Sequence, residues 1–139
     1  MFDIGLSSAG SSISLASSSD PSYPPDNILD GKPETFWLTT GMFPQEFIVT
    51  FASVMNVNNV KITCHNVRRL SLEKSVQGTP IDFEPVREAT LDGSDGELQT
   101  HEFTLGDISA QHMRFKVDSG YNHFVSIHEL HIDGNAMRI

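Results

Sequence analysis

Apolar and polar residues alternate with a period of two along much of this chain. Ile13 and Leu15 are interleaved with Ser12, Ser14 and Ala16, inside a serine-rich stretch at residues 7–19. Successive strand side chains point to opposite faces, so this pattern marks a half-buried β-strand. The same pattern predicts strands over Glu46–Phe51, with Phe47, Val49 and Phe51 on one face, and over Val57–Thr63, with Val60 and Ile62. Leu70 and Leu72 mark another, closed by the break Gly78-Thr79-Pro80. His101–Leu105, Met113–Val117 and Ser126–Ile132 complete the series, the last placing His128, Leu130 and Ile132 on one side.

Gly, Pro, Asn and Asp punctuate these runs. Asp20–Asp26 holds three prolines and predicts an ordered loop. Asn27-Ile28-Leu29-Asp30-Gly31 ends in a turn signal, and a short helical turn fits Pro25–Leu29. Asp92–Gly96 reads as a hairpin turn. No run of about 12 residues carries a helical stripe. Many short alternating strands between turns predict an all-β antiparallel sandwich or barrel. With 139 residues and no internal repeat, one domain over 1–139 is expected.

Hydrophobic residues make up 38% of the chain, enough for a core, which argues against whole-chain disorder. The formal charge of −9 disfavours nucleic acid and anionic lipid as partners. Arg68-Arg69, with Lys61 and Lys74 nearby, reads as a solvated strand edge. Cys64 is the single cysteine, so no internal disulfide forms, and its alternating context predicts a buried, inert thiol. No basic-then-apolar leader, no apolar run near ~18 residues and no glycosylation sequon is visible, which favours the cytosol.

Enzyme signatures fall short. His128-Glu129-Leu130-His131 places its histidines three apart on a predicted strand, whereas zinc proteases need them four apart on a helix. His65, His101, His112 and His123 show no ligand spacing. No nucleophile elbow or phosphate loop is present. Asp92, Asp95 and Glu97 form an acidic group, but Gly93 and Gly96 beside them favour a turn.

The segment from Asn27 to Trp37 is the strongest local feature. Calcium takes six to eight hard oxygen ligands in a flexible shell. Asp30 offers a carboxylate, Thr35 a hydroxyl, Asn27 and Lys32 main-chain carbonyls, and Gly31 permits a sharp turn. The same residues also describe a metal-free turn stapled by Asp30, which spacing alone favours. Trp37, between Phe36 and Leu38, reads as core.

Taken together, Ser18-Ser19-Asp20, then Pro25, Asn27, Asp30-Gly31, Pro33, Thr35 and Trp37, then Pro44–Val49 resemble the discoidin, or coagulation-factor C-type, galactose-binding-like domain. Arg114–Val117 and Ser126–Gly134 continue the likeness over nearly the whole chain. More narrowly, Phe36–Ile48 and Tyr121–His128 resemble the small discoidin-like subunits of the intraflagellar transport B complex, which also carry a small heat-shock name. No α-crystallin-type pattern accompanies that name here. Most discoidin domains are secreted modules of larger chains, often with a terminal disulfide, and this single-cysteine chain departs from that pattern.

The resemblance implies an antiparallel jelly-roll β-sandwich without catalytic activity. It implies a heterodimer with a small Rab-like GTPase subunit, contact with other subunits of the complex, and a place in the cilium or flagellum and cytoplasm. It also implies a structural Ca2+ site built from the Asn27 and Lys32 carbonyls, the Asp30 carboxylate and Thr35, closed by Glu129 of the last strand, with Trp37 packed beneath the loop. The alternative is a carbohydrate-binding, lectin-like module using Tyr23, Phe43, Tyr121 and Phe124 as loop aromatics. The missing leader and the scarcity of loop arginines weigh against it.

Overall fold

The computed structural model describes residues 2–4, 9–18, 20–32, 34–40, 42–93 and 97–136. Ser19, Pro33, Gly41, Asp95 and Gly96, which entered the sequence reading, lie outside the described residues. The elements are β1 (Phe2–Asp3), β2 (Ser12–Ala16), a 3-10 turn (Pro25–Leu29), β3 (Trp37–Leu38), β4 (Gln45–His65), β5 (Val67–Ser75), β6 (Glu84–Thr90), β7 (Gln99–Gly120) and β8 (Ser126–Ala136). All ladders are antiparallel. Among the described residues, no helix is long and apolar enough to cross a membrane.

Two long strands, β4 and β7, run through both layers of a jelly-roll sandwich. Residues 45–50 of β4 pair with β2 on one side and with residues 112–117 of β7 on the other, and β5 and β6 extend this layer. Residues 55–65 of β4 pair with β8 and with residues 99–110 of β7, while β1 and β3 pair with β8. The crossover is marked by register shifts between Thr50 and Met55 and between Val57 and Asn59. Opposite it, Gly106 and Asp107 take φ values of 64° and 65°. Bulges and left-handed residues let a strand bend sharply while keeping its partners.

The core lies between the layers. Phe47, Val49, Leu70, Leu72 and Phe115 face Trp37, Val60, Ile62, Leu130 and Ile132. Trp37 from β3 meets the Phe47 ring edge-on at 5.5 Å, and Phe47 stacks on Phe115 at 4.9 Å. At Gly134 a Cβ would collide with the Asn56 carbonyl oxygen of the adjacent strand, so only glycine permits this approach.

The predicted strands 46–51 and 57–63 are one continuous strand, as are 101–105 and 113–117. Alternation loses phase at each bulge, which splits one element into two in the sequence pattern. β6 escapes that pattern because only Val86 and Ala89 pack partly on the core. Arg68 and Arg69 are solvated as expected, but β5 is no edge strand, since it runs between β6 and β7. Lys61 stands apart on β4, and Lys74 binds the Ser109 carbonyl oxygen. In β8 a register shift between the Thr63–Glu129 and Cys64–Ile127 pairs sets His128 apart from buried Leu130 and Ile132.

Truncating a fully buried aromatic removes its transfer energy and leaves a cavity, at a cost of about 3–5 kcal/mol. Phe47→Ala is therefore expected to lose roughly that much stability. Urea unfolding followed by the fluorescence of Trp37, the sole tryptophan, reads it directly.

Candidate functional site

The loop after the 3-10 turn is built from both ends. Pro25 has no N–H to leave unsatisfied at the start of a helical turn, and its φ is already suitable. The Asn27 N–H donates to the Pro24 carbonyl oxygen at 3.1 Å. Ile28 and Leu29 are buried and fasten the turn to the core, while Asn27 and Asp30 stay half-buried beside them. Gly31 takes φ 74°, the sharp turn expected of it. Asp30 Oδ1 accepts the Lys32 N–H at 2.8 Å, the self-stapled turn typical of aspartate. Asn27 Nδ2 donates to the Phe36 carbonyl oxygen at 3.0 Å and closes the loop across its base.

Four of the five sequence-derived ligand groups converge here. Thr35 Oγ1 lies 2.5 Å from Asp30 Oδ2, 3.2 Å from the Lys32 carbonyl oxygen and 3.5 Å from the Asn27 carbonyl oxygen. A hydroxyl has one proton to donate, so at most one of these three acceptors receives a full hydrogen bond. The others keep lone pairs free close to the same hydroxyl. Such an all-oxygen set of carboxylate, hydroxyl and carbonyls suits a hard cation. Among the described residues there is no group of three or more His, Cys, Asp or Glu side chains placed for a metal, so the soft or nitrogen-rich sites preferred by zinc are not assembled there.

Glu129 approaches from β8. Trp37 pairs with Ile127 and Leu38 with Ser126. Just outside this pairing, the Phe36 and His128 rings stand 4.7 Å apart. The recorded polar neighbour of Glu129 is His131, at 3.8 Å from Oε2. The loop and the last strand are thus adjacent through Phe36 and Trp37, one and two residues from Thr35, and their neighbours His128 and Ile127, one and two residues from Glu129. Trp37 is fully buried beneath the loop, with its Nε1–H donating to the Ser18 carbonyl oxygen at 3.0 Å.

The aromatic residues considered for sugar stacking have different neighbours. Tyr23 stacks on Phe36 at 4.6 Å, and the Tyr121 hydroxyl donates to the Leu91 carbonyl oxygen at 2.6 Å. Phe43 packs partly on the core, while Tyr23, Tyr121 and Phe124 are exposed.

A family model, the F5/8 type C domain, matches residues 13–130, from β2 to β8 and across the whole loop. The intraflagellar transport protein 25 homolog of Homo sapiens is 44% identical over 135 residues, covering 97% of this chain and 94% of that protein. Intraflagellar transport protein 25 of Chlamydomonas reinhardtii is 37% identical, covering 96% of this chain and 70% of that protein. The chain belongs to the intraflagellar transport protein 25 family of F5/8 type C domains. Solved structures similar to this family member include chitosan-binding module 1 of a Paenibacillus chitosanase/glucanase, with TM-score 0.83 at 22% identity over 96% of this chain and all of that one. The family 32 carbohydrate-binding module of Clostridium perfringens NanJ, solved with galactose, gives TM-score 0.77 at 21% identity over 93% of this chain and 96% of that one. At these identities the likeness concerns the fold.

Cys64 is fully buried on the inner face, its Sγ 3.7 Å from Gln99 Oε1, and burial pushes the thiol up to about 12. The raised value favours the neutral thiol in the folded state. Its contribution to stability is complete below about 9, where the unfolded thiol ionises, and falls as pH rises toward about 12. Native protein at neutral pH is expected to resist a thiol reagent such as Ellman's, and denaturant is expected to expose one reactive thiol per chain. Rapid labelling of the folded protein would contradict the buried placement.

Proposed function

We propose that this protein is a non-catalytic structural subunit of the intraflagellar transport B complex. In this reading it pairs with a small Rab-like GTPase subunit to support protein transport in the cilium or flagellum, and a Ca2+ ion braces its loop at 27–35. The observation that carries the transport role is the 44% identity to the human relative, spread over 97% of this chain. A likeness that extends over nearly the whole of both chains, and not over the sandwich fold alone, supports a shared role. The binding-module fold supports a role without catalysis. The sequence has no Gly-rich phosphate loop, so nucleotide dependence of the complex would belong to the GTPase partner.

The calcium proposal rests on the oxygens gathered around Thr35 Oγ1. Asp30, Thr35 and the Asn27 and Lys32 carbonyls would hold the ion, with Glu129 completing the shell from β8. Its contribution is electrostatic: a cation neutralises the crowded lone pairs and ties the loop to the last strand. An ion that binds only the folded chain stabilises it by mass action.

Affinity purification of tagged protein from ciliated cells, followed by gel filtration and mass spectrometry, is expected to recover a stoichiometric small GTPase with other transport subunits. A monomer without them would overturn the transport reading. Separately, about 1 mM calcium against chelator is expected to raise the melting temperature by a few degrees, on the order of 1 kcal/mol. Asp30→Ala is expected to remove that difference. An unchanged wild-type melt would dismiss the ion and leave the transport role untouched.

A further inference from the structure

We propose that the free edge of β7 at residues 99–105 receives an extended, Lys- or Arg-bearing segment of a protein partner as an added strand. This inference stands apart from the transport reading, because it concerns backbone groups and charge at one edge whichever complex the protein joins.

The edge follows from the pairing. Residues Gln99–Thr104 of β7 pair with Cys64–Asn59 of β4 in unbroken register, and β5 pairs only with residues 112–120 of β7. Among the described residues, no strand lies on the other side of 99–105. The direction of each peptide group can be traced through three strands. Ile4 N–H donates to the Ile132 carbonyl oxygen at 2.9 Å, so Ile132 turns its backbone groups toward β1 and away from β4. In an antiparallel ladder the N–H and C=O of one residue point to the same side. Val60, paired with Ile132 and Phe103, therefore bonds to Phe103. By alternation, Thr100, Glu102 and Thr104 direct their N–H and C=O groups to the open side.

This edge has few of the guards that natural edges carry. Proline, lysine, bulges or very short length usually block strand addition. Residues 99–105 contain no proline or lysine, and the ladder is regular over Gln99–Thr104. By contrast, β6 has Pro85 and a register shift, and β2 has a register shift within five residues. A cleft of about 330 Å³ opens at the start of the β7 edge, lined in part by Leu91, Asp92, Gly93, Gln99, Thr100 and His101. It is large enough to take a side chain from an added strand.

Charge defines the occupant. The chain has no lysine or arginine between Arg87 and Arg114, whereas Asp92, Glu97, Glu102 and Asp107 lie along the edge strand and its approach. Lys61 sits directly opposite Glu102 on β4 and shares its face, while Asp92, Glu97 and Asp107 add negative charge in a stretch, residues 88–113, that holds no lysine or arginine. A cross-strand Lys or Arg opposite Glu102 would complement it, and a like charge there would repel. Strand addition draws affinity from main-chain hydrogen bonds and specificity from alternate side chains. The fitting partner segment is extended, alternating and basic.

The test uses the full chain and a displayed library of roughly ten-residue peptides, long enough to span the edge. Selected peptides are expected to alternate, to carry Lys or Arg, and to protect the amides of Thr100, Glu102 and Thr104 from hydrogen exchange. Glu102→Pro removes one outward N–H without touching the β4 ladder, and is expected to weaken binding about tenfold or more. Glu102→Gln keeps the N–H and removes the charge without setting a like charge against Lys61, and is expected to weaken basic peptides while the melt of Trp37 fluorescence stays near wild type. Selection of no peptide, equal binding to wild type and Glu102→Gln, or protection confined to another part of the chain would overturn the proposal.

Discussion

The antiparallel ladder between β4 and β7 is the constraint from which the remaining structure follows. Both strands exceed twenty residues and pass from one layer to the other, so every other strand attaches to one of their halves or to a neighbour of one. A flat ladder of that length could not wrap a core. The chain resolves this with register shifts near Thr50–Asn59 and with left-handed residues at Gly106 and Asp107. One local cost is visible at Asn58, whose Oδ1 is buried without a hydrogen-bond partner. The close approach of Asn56 to Gly134 belongs to the same region.

Once the sandwich is closed, its buried groups hold the outer loops. Ile28, Leu29 and Trp37 are core residues, yet between them they span the oxygen-rich loop. Their burial limits how far Asn27, Asp30 and Thr35 can separate. The apolar effect thus brings acceptor oxygens closer than they would lie in an unconstrained chain, and hydrogen bonds relieve only part of that crowding. A buried glutamine does comparable work across the sandwich. Gln99 binds both backbone groups of Val67 and the Asp92 carbonyl oxygen, joining β7 to the start of β5 and to the segment after β6.

The same sandwich serves carbohydrate-binding modules at about one-fifth identity. Here Tyr23 stacks on Phe36, the Tyr121 hydroxyl binds the Leu91 carbonyl oxygen, and the formal charge is −9. A shared core explains a shared fold, and the fold by itself does not fix the function.

The alternation of Phe47, Val49 and Phe51, and of Val60 and Ile62, was enough to determine an all-β sandwich or barrel, because burial on one face imposes period two regardless of which strands pair. The 3-10 turn was legible from Pro25, and the inert thiol from the setting of Cys64. Loop residues 27, 30, 32 and 35 were legible because a tight turn keeps neighbours in sequence near one another in space. Other features depended on distant parts of the chain. The fusion of two predicted runs into β4 was hidden, since a bulge resets the phase without ending the strand. β6 was hidden because Val86 and Ala89 pack only partly on the core. The placement of Phe36 beside His128, and the outward peptide groups of Thr100, Glu102 and Thr104, depend on pairing between segments far apart in sequence. Local pattern records which face a residue takes; only the assembled sheet decides which strand lies beside it, and which edge is left open.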